Sequence, residues 1–169
     1  MIDTYSGLKY DEFVVVSSDL YGNWYNKLQM YDKFRDGENL YFDLDVVIYN
    51  KLPNLIRKEF TLLDDTWWRE PAHTPLNSSV VSWTGDVSYI WNTFKTNEEF
   101  YLKEYNKGSD EFYYHEVTYD TYDKVCPKFN ADGPDKNYSM CTLGQLHHIM
   151  EEGWTGWWTP YFLPYEKIW

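Results

Sequence analysis

"EEFYLKEYNKGSDEFYYHEVTYDTY", residues 98–122, is the stretch whose reading decides the fold. Aromatic and acidic residues interleave on both sides of "NKGS" (106–109), so the run reads as a hairpin of two aromatic strands joined by that turn. A helix from Glu98 to Tyr105 is the competing reading of its first half. As strands, the segment adds an antiparallel pair and displays a row of carboxylates. As helices, it contributes to a layer packed on a sheet made elsewhere.

The surrounding composition favours strands. The chain of 169 residues has 17 Tyr, 9 Trp and 9 Phe, while alanine, the best helix former, occurs only at Ala72 and Ala131. A chain of this length buries a core without metals or disulfides, and 43 % hydrophobic residues exclude a disordered polymer. One domain spanning 1–169 is expected, of α+β class, with a mixed or antiparallel sheet, two to four short helices and an aromatic-rich core.

Upstream, "EFVVVS" (12–17) reads as a buried strand, and Ser18 can cap a helix to about Phe34 with Leu20, Trp24, Leu28 and Tyr31 on one stripe. "LYFDLDVVIY" (40–49) alternates as a strand, with Leu40, Phe42, Leu44, Val46 and Ile48 on one face. This opening is β-α-β. Pro53 breaks the next segment, after which "IRKEFTLL" (56–63) suits a further strand. "TWWREPAHTPLNSS" (66–79) reads as loop, and Thr84 can cap a short helix burying Val87, Ile90, Trp91 and Phe94. After a loop at 127–137, Thr142 opens a capping box for a helix striped by Leu143, Leu146, Ile149 and Met150 and stopped at Gly153. The closing "WTGWWTPYFLPYEKIW" (154–169) reads as an extended tail strapped across the domain, one face sealing the core.

The net charge is −12, spread evenly: 13 acids to 8 bases in residues 1–85, and 14 to 7 in 86–169. Such a surface repels phosphate backbones and anionic lipid, so direct nucleic-acid or membrane binding is disfavoured and a basic protein partner is favoured. The N-terminus lacks the basic and apolar regions of a signal peptide, and no apolar run is long enough to span a bilayer, so a cytoplasmic location in a host cell is expected. Cys126 and Cys141 suit two reduced thiols, or a single bridge in an exported protein.

Three constellations can carry function. Residues 98–123 hold eight acids, Glu98, Glu99, Glu104, Asp110, Glu111, Glu116, Asp120 and Asp123, against two lysines. On strands, successive acids stand roughly 6–7 Å apart, close to the phosphate spacing of a nucleic-acid strand. Such a row, with Tyr113, Tyr114 and Tyr119 as anchors, could fill the basic channel of a nucleic-acid-binding protein. A soluble hairpin kept from sticking by its charge is the plain alternative.

Asp43 and Asp45, at i and i+2, would point to one face of a strand and could hold a divalent metal, with Asp64 or Asp65 adding a third acid if the strands are neighbours. The run "LYFDLDV" (40–46) resembles the first motif of archaeal and eukaryotic-type primases, an apolar stretch followed by Asp-x-Asp. That family pairs the acids with a downstream Ser-x-His and a third acid, and no histidine here is preceded by serine at that spacing. Finally, His147 with Glu151 and His148 with Glu152 are i,i+4 pairs that read as solvated helix pairs rather than metal ligands.

No nucleophile motif and no phosphate loop is present, and no cofactor is implied. The leading expectation is a non-enzymatic acidic inhibitor of anti-CRISPR or anti-restriction type, encoded by a phage whose AT-rich genome the Tyr/Asn/Asp/Lys-rich usage resembles. Beside it stand a carbohydrate-binding or virion component using exposed tryptophans, and a metal-dependent nucleotidyl or phosphoryl transferase on Asp43 and Asp45.

Overall fold

A computed structural model describes residues 22–44, 46–48, 51–64, 74–122 and 140–142. The chain runs through α1 (Gly22–Tyr25), a 3₁₀ turn (Asn26–Gln29), α2 (Met30–Lys33), β1 (Glu38–Phe42), β2 (Val46–Ile48), β3 (Thr61–Asp64) and β4 (Leu76–Thr84). It continues through α3 (Tyr89–Thr96), α4 (Glu98–Glu104), α5 (Ser109–Glu116), β5 (Asp120–Tyr122) and β6 (Met140–Thr142).

The main sheet has the order β1-β4-β3-β5, and β2 pairs separately with β6. β1 and β3 run antiparallel to β4, whereas β5 runs parallel to β3. Three strands therefore share one direction and β4 alone opposes them. Helices and a four-stranded mixed sheet around a buried aromatic cluster make the fold α+β, as the composition predicts.

β4 is the spine and the element that the sequence hid. Eight of its nine residues are buried, including Asn77, Ser78, Ser79 and Ser82, whose polarity suggests a loop. Several of these polar groups find partners inside the protein. Asn77 Oδ1 accepts from Ser79 N at 2.8 Å, and Ser82 Oγ accepts from Arg57 N at 2.7 Å. The strand is possible because its hydroxyls and amide find these bonds inside the protein.

Residues 98–116 fold as a helical hairpin, which corrects the strand reading there and bears out the competing helix from Glu98, while only Asp120–Tyr122 at the end of the stretch form a strand, β5. "NKGS" is indeed a turn, but it joins α4 to α5. Phe112 and Tyr113 are adjacent and both fully buried, which a strand with alternating faces cannot arrange on one side. Tyr101 and Tyr105 stack one helical turn apart, with ring centroids at 5.6 Å. Glu98 and Glu99, then Asp110 and Glu111, occupy the first turns of their helices, where the partial positive charge of the N-terminus favours them.

Gly108 in this turn has φ of 81°, and a Cβ there would lie 2.9 Å from Trp24 Cβ. Trp24 was expected on the buried stripe, yet it is 64 % exposed and rests one edge on Gly108. The four 3₁₀ residues turn by about 120° each instead of about 100°, rotating the stripe by roughly 80°. Tyr25 takes its place on the buried stripe with Leu28 and Tyr31, three apart, and Met30 is buried beside them.

The expected strand at 40–49 breaks at Asp43–Leu44, where Val46 N donates to Asp43 O at 3.1 Å to close a turn. Leu44 and Ile48, expected on one face with Leu40, Phe42 and Val46, are exposed. Of the four residues expected on one buried face, Ile90 and Phe94 of α3 and Val87 just before it are buried and Trp91 is half-buried against the core, and Asp86 rather than Thr84 accepts from Ser88 N at the start, at 2.8 Å. That bond, together with the Ser88 hydroxyl, holds the Asp86 carboxyl below its usual range. The strand at 12–17, the helix after Thr142 with His147 and His148, Cys126 and the tryptophan tail lie outside the described residues.

The main core fills the helix-bearing face of the sheet, where Tyr31, Phe60, Trp83, Phe94, Phe112 and Tyr113 meet. Tyr31 makes edge contacts with Phe60, Trp83 and Tyr113 at centroid distances of 5.4, 5.1 and 6.1 Å. A smaller cluster of Leu55, Leu63, Val80, Tyr122 and Met140 forms separately. Helix layer and sheet are thus joined largely by aromatic edges.

Gly108→Ala adds both left-handed strain and a clash with the Trp24 side chain. A loss of about 2–3 kcal/mol, read from urea midpoints, is expected. Unchanged stability would show that the turn does not sit against Trp24.

Candidate functional site

The carboxyl ends of β1, β3 and β5 gather at one end of the main sheet, together with the start of β4. Asp43 follows β1 at this end. Its N–H donates to Ser79 O at 2.8 Å, extending the ladder one residue before the turn.

β4 is irregular at the same level. Leu62 pairs with Val81 but Leu63 pairs with Asn77, so Ser78–Val80 bulge against β3. A bulge releases backbone groups from the ladder, and they must find other partners. Ser78 N donates to Asp110 Oδ1 at 3.0 Å, and Ser78 Oγ donates to the same oxygen. Ser78 O accepts from Lys27 Nζ at 3.2 Å.

Lys27 also reaches Asp43, at 3.2 Å to Oδ2 and 3.4 Å to Oδ1, and lies 5.8 Å from the centroid of the Tyr41 ring. Tyr41 OH donates to Asp43 Oδ1. The Lys27 side chain is 16 % exposed and that of Asp43 27 %, so this pair is shielded far more than a surface ion pair. The result is a polar cluster of Lys27, Tyr41, Asp43, Ser78 and Asp110 held by the 3₁₀ turn, β1, β4 and α5. Beneath it, burial pushes the hydroxyls of Tyr31 and Tyr113 well above the ordinary phenol range, and they pair at 2.9 Å.

The predicted metal pair sits partly here. Asp43 is in the cluster, Asp45 lies outside the described residues, and the two do not share one continuous strand. Asp64 ends β3, but β4 separates β3 from β1, so Asp64 stands roughly 9–10 Å from Asp43 in strand spacing alone. Among the described residues no three His, Cys, Asp or Glu side chains group as a metal site.

The predicted acidic row is dispersed. Asp110 is drawn into the β4 bulge, Glu111 accepts from Lys107 N at 3.1 Å, and Glu98 pairs with Lys95. Glu116 accepts from the hydroxyls of Tyr101 and Tyr105. Glu99, Glu104 and Asp120 are exposed, while Asp123 lies outside the described residues. Of the three anchors, Tyr113 is fully buried, Tyr119 is half-buried against the core and Tyr114 is exposed. Carboxylates on two helices cannot keep the strand spacing on which the phosphate match rested.

Sequence reasoning missed Lys27 and Ser78. Lys27 is one lysine on a helical segment, and "NSS" reads as loop; only the bulge brings them together. Compared with known proteins, the chain matches no family model, no curated protein and no solved structure.

Asp110→Ala removes the acceptor of Ser78 N–H inside a buried bulge. Destabilisation of about 1–3 kcal/mol is expected, with Asp110→Asn milder because an oxygen remains. Equal losses for the two variants would show that charge rather than hydrogen bonding holds the bulge.

Proposed function

We propose that the chain carries a metal-dependent group-transfer site built on Asp43, with Asp45, close by in the sequence, as a second acid, acting on a donor that presents a phosphate or diphosphate. The observation that supports this reading is the position of Asp43. It is a half-buried carboxylate in the turn leaving β1, at the sheet end where strand carboxyl ends converge, and Tyr41 and Lys27 hold its orientation.

A site with few protein carboxylates suits Mg²⁺ or Mn²⁺, which is commonly held by one or two carboxylates with waters and substrate phosphates completing its shell. The metal would supply charge neutralisation of a departing diphosphate, a chemistry common to nucleotidyl transfer and to glycosyl transfer from nucleotide sugars. The chain's own residues have distinct parts. Tyr41 and Lys27 fix the Asp43 carboxylate, and Asp110 fixes the β4 bulge beside it. The net charge of −12 makes a bound cation the means of accepting an anionic donor.

Mn²⁺ with a nucleoside diphosphate should raise the melting temperature by several degrees, and Asp43→Asn should abolish the rise. A parent protein indifferent to Mg²⁺, Mn²⁺ and a panel of nucleoside diphosphates would remove the proposal.

A second reading keeps the acidic surface as a docking face for a basic protein of the nucleic-acid-handling kind, in the manner of an anti-CRISPR or anti-restriction inhibitor. What supports it is exposed Glu99 and Glu104 on α4 beside Phe100 and Leu102, with Tyr114 exposed on α5. Binding should then weaken steeply between low and high salt and be lost in Glu99→Lys/Glu104→Lys. Salt-independent binding would count against it.

A further inference from the structure

The rings of the helical layer do not stop at the core. Fully buried Phe94 is roughly parallel to Tyr101, Tyr101 to Tyr105 and Tyr105 to His115, with interplanar angles of 25°, 27° and 18° and centroid distances of 6.1, 5.6 and 5.1 Å. Tyr105 is half-buried and His115 exposed, so the last ring of the stack meets solvent. Tyr114 stands at 76° to His115 with centroids 4.9 Å apart, and Phe100 stands at 76° to Tyr105 at 6.0 Å. Both of these edge rings are exposed. Stack and edges together make an open aromatic corner between α4 and α5.

One carboxylate borders this corner. Glu116 accepts from the Tyr105 hydroxyl through Oε1 and from the Tyr101 hydroxyl through Oε2, the latter at 3.5 Å. Burial, with the carboxylate beside it, raises the Tyr105 phenol above its ordinary range, so the hydroxyl remains the donor. These bonds fix Glu116 at the rim of the stack and leave it room to accept more, because a carboxylate offers about four lone-pair positions. Among the described residues no lysine or arginine pairs with it: Lys95 pairs with Glu98, and Lys103 lies 3.7 Å from Glu104. Aromatic faces carry partial negative charge, and a fixed carboxylate beside them selects a cation over an anion or a neutral ring. The net charge of −12 favours a partner of the same sign.

We propose that the His115 corner is an arginine subsite, in which a guanidinium of a basic protein partner stacks on the exposed imidazole and donates to Glu116. The proposal rests on the docking reading of the acidic face and names the side chain that the face selects. A guanidinium is planar and weakly hydrated, so it can lie on a ring and still donate in its own plane to a carboxylate at the rim. An ammonium is a compact, strongly hydrated point charge and gains less from a flat ring. Because Glu116 holds Tyr105 and His115 rests on Tyr105, the corner is set before the partner arrives, which lowers the ordering cost of binding.

The test titrates two peptides of equal length, one of arginine alone and one of lysine alone, onto the whole chain at low salt in mildly alkaline buffer, read by fluorescence anisotropy. The parent should bind the arginine peptide about tenfold more tightly than the lysine peptide. His115→Ala removes the platform, and Glu116→Gln removes the charge while keeping an oxygen for the tyrosines; each should bring the preference below about threefold. His115→Phe keeps a flat ring and should keep the preference. Glu99→Lys/Glu104→Lys should weaken both peptides alike and leave the preference intact, because these acids act through charge alone.

A parent that binds both peptides equally overturns the inference and leaves the docking reading standing. A preference that survives in either His115→Ala or Glu116→Gln overturns it as well, since arginine would then be favoured without the corner. Binding of neither peptide by the parent instead overturns the docking reading on which the inference stands.

Discussion

One residue constrains the rest of the structure: Ser78, turned out of the β4 ladder by the bulge opposite Leu62 and Leu63. Its N–H and C=O lie in a buried strand and cannot be left without partners. A carboxylate from α5 takes the first and an ammonium from the 3₁₀ turn takes the second. Two helical segments distant in sequence are thereby pinned to one residue of the sheet. Because the same ammonium reaches Asp43, the path of the chain leaving β1 is set by the same bond network.

The second constraint comes from burying tyrosine instead of leucine. Each buried phenol brings a hydroxyl that must be hydrogen-bonded, and the solutions join elements. Tyr31 and Tyr113 bond each other across the main core. The Tyr25 hydroxyl donates to the carbonyl oxygens of Tyr101 and Tyr105, at 3.2 and 2.7 Å, and so ties α1 to the end of α4. Glu116 serves two tyrosine hydroxyls from the facing helix. These acids belong to the internal economy of the helical hairpin, and for that reason a count of carboxylates in residues 98–123 overstates what the surface presents.

Much of the architecture was legible. α+β class, an aromatic core, the α3 stripe and the turn at "NKGS" follow from composition and periodicity, which report local preference and the face each side chain favours. Three local readings failed where a neighbour overrode them. Residues 98–116 have strand-forming aromatics, yet sheet contacts available to Phe112 and Tyr113 on one side require a helix. Trp24 left the buried stripe because a 3₁₀ segment changes the angular step, and "LNSS" became strand because buried partners exist for its polar groups.

The site divides in the same way. The Asp-x-Asp spacing of Asp43 and Asp45 is a property of the sequence and is visible without coordinates, as are the charge of −12 and the lack of a nucleophile motif. That Lys27 and Ser78 surround Asp43, that Asp110 serves the bulge and that Asp64 stands beyond β4 are decided only by tertiary structure. Periodicity assigns a residue to a face of its own element, but the partner of a buried charge is set by strand order and register, and these depend on contacts between segments tens of residues apart.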